Sequence, residues 1–141
     1  MLTRFIPTTI KPRSVGMVSS PFTKFVKKKY TDVPKQDVTA FGSKKTTIRW
    51  LLDFQNDKMP NFALRRFEIQ PGGSIGLHSH AHEHEIYVLS GESCTITNGE
   101  DQKVVAKGGD VLFVPPHEPH DYYNNGRDTF TFLCIIPKIE N

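Results

Sequence analysis

From Thr46 to the C-terminus the chain breaks into short apolar, β-prone runs separated by turn-forming residues at intervals of about 8–12 residues, a rhythm that belongs to sandwiches and barrels. Thr47–Phe54 is followed by the turn Asn56-Asp57-Lys58, and Phe62–Gln70 is closed by Pro71-Gly72-Gly73. His84–Ser90 runs into Gly91, and Ser93–Thr97 leads to Asn98-Gly99. That dipeptide predicts a tight hairpin in which both central residues take positive φ. Gln102–Ala106 and Asp110–Val114 flank Gly108-Gly109, and His120–Tyr123 and Phe130–Ile136 flank Asn125-Gly126. No stretch long enough for a helix keeps a 3.6-residue period through these interruptions. The expected fold class is all-β, and the pattern alone leaves a jelly roll and an immunoglobulin-like sandwich both open.

A chain of 141 residues with a hydrophobic fraction of 37% and a charged fraction of 23% is expected to form one globular domain with one core. No apolar run approaches the roughly 18 residues of a membrane span. Charge is uneven: Arg4, Lys11, Arg13, Lys24, Lys27, Lys28 and Lys29 all precede the first acidic residue, Asp32. Residues 1–37 therefore read as a basic N-terminal arm or tail, and residues 38–141 as the β-domain. An organelle-targeting leader would also be poor in acids, but Pro7 and Pro12 interrupt the amphipathic helix such leaders form. Three consecutive lysines without an aromatic platform do not make a nucleic-acid site, so no nucleic acid and no membrane is expected as a partner. No secretory apolar region is visible, and a cytoplasmic location is the expectation. Cys94 and Cys134 have no CxxC spacing and suggest neither a disulfide framework nor a cysteine zinc site.

Chemistry concentrates in the histidines. All six lie between positions 78 and 120, and His78, His80, His82 and His84 alternate. Residues i and i+2 share a strand face about 7 Å apart, so His78 and His80 can converge on one ion roughly 2.1 Å from each nitrogen. An unbroken strand would put His78 and His84 about 20 Å apart, beyond the reach of one ion. The chain is expected to bend at Ala81–Glu83, with His82 in the bend and His84 or Glu85 opening the returning strand.

Gly72-x5-His78-x-His80, continuing to Gly91, resembles the first motif of the cupin family, Gly-x5-His-x-His-x3,4-Glu-x6-Gly. Gly109-x5-Pro115-x-His117-x2-His120-x3-Asn124 resembles the second, with His117 standing where the pattern has glycine, a departure that touches a turn. The run HSHAHEHEIYVL, with PNFALRRFEIQPGG before it and FLCIIP near the end, is similar to a group of small single-domain cupins that includes manganese-binding bacterial proteins. The resemblance covers roughly residues 28–138. It implies a double-stranded β-helix, or jelly-roll barrel, a homodimer, and one divalent ion held by four histidines: His78, His80, His84 and His120. Glu85 is the alternative to His84, although only His84 satisfies both motif spacings. Mn or Fe is the ion expected, with Zn, Ni or Cu possible as purified because affinity follows metal availability and the Irving–Williams order. His82 reads as a rim residue, and Glu83 and Glu85 as solvated or as partners that orient an imidazole.

The resemblance also implies that Phe132 and Cys134 line a substrate cavity near the metal and that Arg65 points inward, where a guanidinium can grip a carboxylate. A six-coordinate ion with four protein ligands keeps two positions open, which favours a dioxygenase-like oxidoreductase acting on a small organic substrate. Lewis-acid isomerisation or decarboxylation is the alternative, with Glu85, Tyr87 and Tyr122 as candidate proton carriers. A non-catalytic small-molecule binding module is the third reading.

Overall fold

The computed structural model describes residues 25–139. Its strands are β1 (Gln36–Asp37), β2 (Lys44–Leu52), β3 (Phe62–His78), β4 (His84–Ser90), β5 (Cys94–Asn98), β6 (Lys103–Ala106), β7 (Val111–Val114), β8 (His120–Asn124) and β9 (Phe130–Pro137). They form one curled, nine-stranded sheet in the order β6-β5-β8-β3-β9-β4-β7, with β2 also on β3 and β1 on β2. The fold class is all-β with the cupin-barrel arrangement, as the strand rhythm and motifs predict. No helix among the described residues is long and apolar enough to cross a membrane.

The 17 residues of β3 make the curl. Phe62–Ile69 pairs with β9, whereas Ser74–His78 pairs with β8. Pro71-Gly72-Gly73, expected to close a strand, instead marks the point where one strand changes partner. Gly72 takes φ +75°, and a Cβ on Gly73 would lie 2.8 Å from the backbone oxygens of Gln70 and Lys45. Only glycine satisfies both demands without strain, so the chain turns the corner of the barrel without leaving the ladder.

Alternation does the rest. Ala63, Arg65, Phe67 and Ile69 of β3 point inward, as do His84, Ile86 and Val88 of β4 and Phe130, Phe132, Cys134 and Ile136 of β9. Phe67 stacks on Phe132 with ring centres 4.9 Å apart, and Phe132 on Tyr122 at 5.5 Å. Cys94 and Cys134 are both buried and free.

Two local expectations are corrected. The strand starting near Thr47 stops at Leu52, because the Asp53 carboxylate accepts the Asn56 N–H at 2.6 Å and caps a one-turn helix, α1 (Phe54–Asp57). Asn98-Gly99 does not form a two-residue turn: neither residue has positive φ, and the left-handed residue is Asp101 at φ 58°. The Asn98 side chain accepts the N–H groups of Glu100 and Gln102 at 3.0 and 2.9 Å, which stabilises a longer loop.

The segment read as an arm is described from Phe25 onward; residues 1–24 and 140–141 lie outside the described part. Lys28 pairs with Asp57 at 2.6 Å, Arg49 donates to the Val33 carbonyl, and β1 runs antiparallel to β2. Residues 28–37 thus lie along their own barrel.

Candidate metal centre and its cavity

The histidines gather where β3 ends, β4 begins and β8 begins. β3 terminates at His78, the chain bends at Ala81-His82, and β4 starts at His84, so the expected bend is where the sequence places it. His120 faces His78 directly across the β3–β8 ladder. Ring centres of His78 and His120 are 4.3 Å apart, those of His80 and His84 4.3 Å, His80 and His120 5.0 Å, and His84 and His120 5.2 Å. Ligand-capable nitrogens of His78, His80 and His120 all lie within 4.8 Å of one another.

Backbone carbonyls set the tautomers. Nδ1 of His78 lies 2.7 Å from the Gly76 oxygen, Nδ1 of His80 2.7 Å from the His82 oxygen, and Nδ1 of His120 2.8 Å from the Glu118 oxygen. A carbonyl only accepts, so each Nδ1 carries the proton and each Nε2 keeps its lone pair. Nε2 of His80 and of His120 is buried without a hydrogen-bond partner among the described residues. Unpartnered imidazole lone pairs aimed into one cluster are what a divalent ion satisfies, so the donor set fits such an ion.

Alternation along β4 separates the two candidates for the remaining position. His84 is buried among the other imidazoles, whereas Glu85 is exposed on the opposite face, opposite Phe113 and Ile135. Glu83 is exposed as well. His82 departs from its expected rim role. Its ring stacks on His80 at 3.9 Å, and its nitrogens come within 4.8 Å of those of His80 and His84. Short alternation in the sequence could have flagged it, but the bend that turns it inward is a product of the fold. His117 is exposed at φ 65°, and its N–H donates to the His80 carbonyl at 2.7 Å. It occupies a glycine-like turn and ties the two histidine segments together.

Burial pulls the imidazoles toward the neutral, ligating form. It lowers His120 to about 4, His82 to about 4 and His84 to about 2 from the ordinary 6.5, and it lowers His80 too. The charge of Arg65 adds to the effect at His84, His82 and His80.

A cavity of about 480 Å³ opens beside the cluster, a size that suits a small organic ligand. Arg65, Phe132 and Cys134 line it, together with Trp50, Phe67, Ile75 and Tyr122. Arg65 is buried while Arg66 points outward to Glu68 at 3.2 Å. Of the three candidate proton carriers, Glu85 and Tyr87 face the outer surface, and only Tyr122 belongs to the cavity. Its hydroxyl is buried without a hydrogen-bond partner among the described residues, and burial raises its pKa. Burial also raises the Cys134 thiol, which stays protonated near neutrality. Trp50 and Phe67 were not legible as cavity residues from sequence, because an aromatic on a strand serves core and pocket alike.

Comparison with known proteins places this geometry. The family profile described as Cupin domain matches residues 65–136. The chain is 43% identical over 72 residues to the oxalate-binding protein of Thermotoga maritima, a match spanning 50% of this chain and 58% of that protein. It is 31% identical over 112 residues to an uncharacterized protein of Methanocaldococcus jannaschii, covering 79% of this chain and 85% of the other. The structure of the polyketide cyclase RemF from Streptomyces resistomycificus superposes with a TM-score of 0.74 at 35% identity, over 81% of this chain and 80% of that one. The profile match, the relative of nearly equal span and the paired strands carrying the histidines lead to one conclusion: this chain belongs to the cupin family.

Proposed function

We propose that this protein is a metal-dependent cupin enzyme in which His78, His80, His84 and His120 hold one divalent ion and the adjoining cavity binds a small organic substrate. The observation that carries this reading is the pair of buried, unpartnered Nε2 atoms of His80 and His120, held in orientation by backbone carbonyls. When bound, an Mn or Fe ion supplies a Lewis-acid centre with access to redox chemistry. Neutral imidazoles leave the full charge of the ion uncompensated, and the Phe67–Phe132–Tyr122 stack keeps the substrate side of the cavity apolar.

The reaction class favoured is a dioxygenase-like oxidation. Turnover of a candidate substrate is expected to require oxygen and to disappear in His120→Ala together with stoichiometric metal. An identical product formed without oxygen would overturn the oxidative reading. A second reading, Lewis-acid chemistry on a carbonyl substrate, is favoured by the Tyr122 hydroxyl and the neutral His82 ring on the cavity wall. The oxalate binding of one relative and the polyketide cyclisation of another are compatible with it. Activity retained with zinc under anaerobic conditions distinguishes it. Tight ligand binding without turnover across metals would instead mark a binding module.

A second copy of the chain is the proposed macromolecular partner, seated on the outer face of β4, β7 and β9, where Tyr87, Val111, Phe113 and Ile135 are exposed. With both cysteines free, a reducing compartment, the cytoplasm, is the proposed location.

A further inference from the structure

Arg65 is 8% exposed, a guanidinium taken almost wholly out of water. A buried charge is costly unless an opposite charge or a full set of hydrogen bonds meets it. Arg65 has neither. No carboxylate among the described residues lies within ion-pair distance of it, whereas its neighbour Arg66 has Glu68. Its Nη2 donates to Cys134 Sγ at 2.8 Å and lies 3.5 Å from His84 Nε2. The thiol is neutral, and the imidazole contact is at the long end of hydrogen bonding. Its Nε has no hydrogen-bond partner among the described residues. The Trp50 and Phe67 rings stand 5.5 and 5.1 Å from the guanidinium carbon, which offsets part of the desolvation but supplies no negative charge. Asp37 lines the same cavity, but it is exposed and makes no ion pair with Arg65.

We propose that Arg65 is the anion receptor of the cavity and that the substrate class is organic carboxylates with a planar, apolar body. The carboxylate pairs with the guanidinium, whose fork geometry matches two carboxylate oxygens. The body lies along Trp50, Phe67, Phe132 and Tyr122, which all line the cavity, the last three as one ring stack. This assignment deepens the enzyme reading and rests on it for the identity of the reacting end, but the anion contact itself needs no metal. Four neutral imidazoles contribute no negative charge, so a bound cation would make the cavity still more welcoming to an anion.

The test uses full-length protein stripped of metal with a chelator, so that no ion can capture the carboxylate. Binding of phenylacetate and of its neutral counterpart phenylacetamide is measured by calorimetry. Wild type is expected to favour the acid by at least tenfold. Arg65→Gln should reduce that ratio to near one, while Arg65→Lys retains part of it. Equal affinity for acid and amide in wild type, or no binding of either by folded protein, overturns the proposal. So does a ratio unchanged in Arg65→Gln. Should Arg65→Gln fail to fold, the wild-type ratio and the lysine variant still decide the matter. Metal stoichiometry of wild type and His120→Ala, measured separately, tests the metal centre. Loss of that centre with the acid preference intact would defeat the enzyme reading and leave the anion site standing.

Discussion

His117 shows how much one residue can say about its backbone. It sits at φ 65°, a conformation that costs a residue with a Cβ about 1–2 kcal/mol, and its ring is exposed. Glycine removes that cost but adds freedom to the unfolded chain worth roughly 0.5–1 kcal/mol. His117→Gly is therefore expected to change stability by about 0–1.5 kcal/mol in the favourable direction and to leave metal binding untouched, because the N–H bond to His80 is retained. Chemical denaturation checks this; a loss above roughly 1 kcal/mol would mean that the ring itself does structural work. The buried imidazoles make the second prediction at this scale. His120 and His82 titrate near 4 when folded against 6.5 unfolded, so between those values the unfolded chain binds protons that the folded chain excludes. Metal-stripped protein is expected to hold its full stability above pH 6.5 and to lose on the order of 1–3 kcal/mol as pH falls toward 4. His84 extends the loss toward pH 2. Urea midpoints measured across that range would expose a flat or rising trend as contrary.

Among the elements, the junction of β8 with the turn after it depends on Asn124. This residue is 0% exposed; it donates to the carbonyls of Ile69 and Asp128 at 2.8 and 2.9 Å and accepts the Gly126 N–H at 2.9 Å. The Ile69 carbonyl belongs to β3 just before that strand changes partner, so one amide side chain fastens the corner of the barrel. Asn124→Ala leaves buried groups unpaired and is expected to cost about 2–4 kcal/mol. A midpoint shift worth under roughly 1 kcal/mol would show that water takes over these contacts. Sequence pattern makes β4 legible because it alternates between a buried and an outer face, and β9 follows the same alternation from Phe132 onward, while Thr131 at its start is buried too. The pattern fails at Pro71-Gly72-Gly73, where breaker residues allow a bend inside a continuous strand, and at Asn98, where a side chain satisfies the loop backbone and selects a longer turn.

Across the whole molecule, the outer face of β4, β7 and β9 exposes Val111 at 72% and Phe113 at 58%. β7 also ends the hydrogen-bonded path of strands and has an edge available for pairing. The expected state in solution is a dimer, and Phe113→Lys is expected to shift it to monomer by placing a charge in the contact. Sedimentation of both proteins at equal concentration tests the point. A monomeric wild type would remove the second copy from the proposal.

The amino-acid sequence alone determines the strand rhythm, the two histidine motifs and the bend before His84, because these are local properties of period and turn chemistry. Only the tertiary structure decides that His82 turns toward His80 and His84, that Trp50 and Phe67 flank Arg65, and that no carboxylate among the described residues pairs with that arginine. Those outcomes depend on which residues meet across β2, β3, β4 and β9. Strand periodicity assigns a side chain to a face; the register between strands distant in sequence assigns its neighbours.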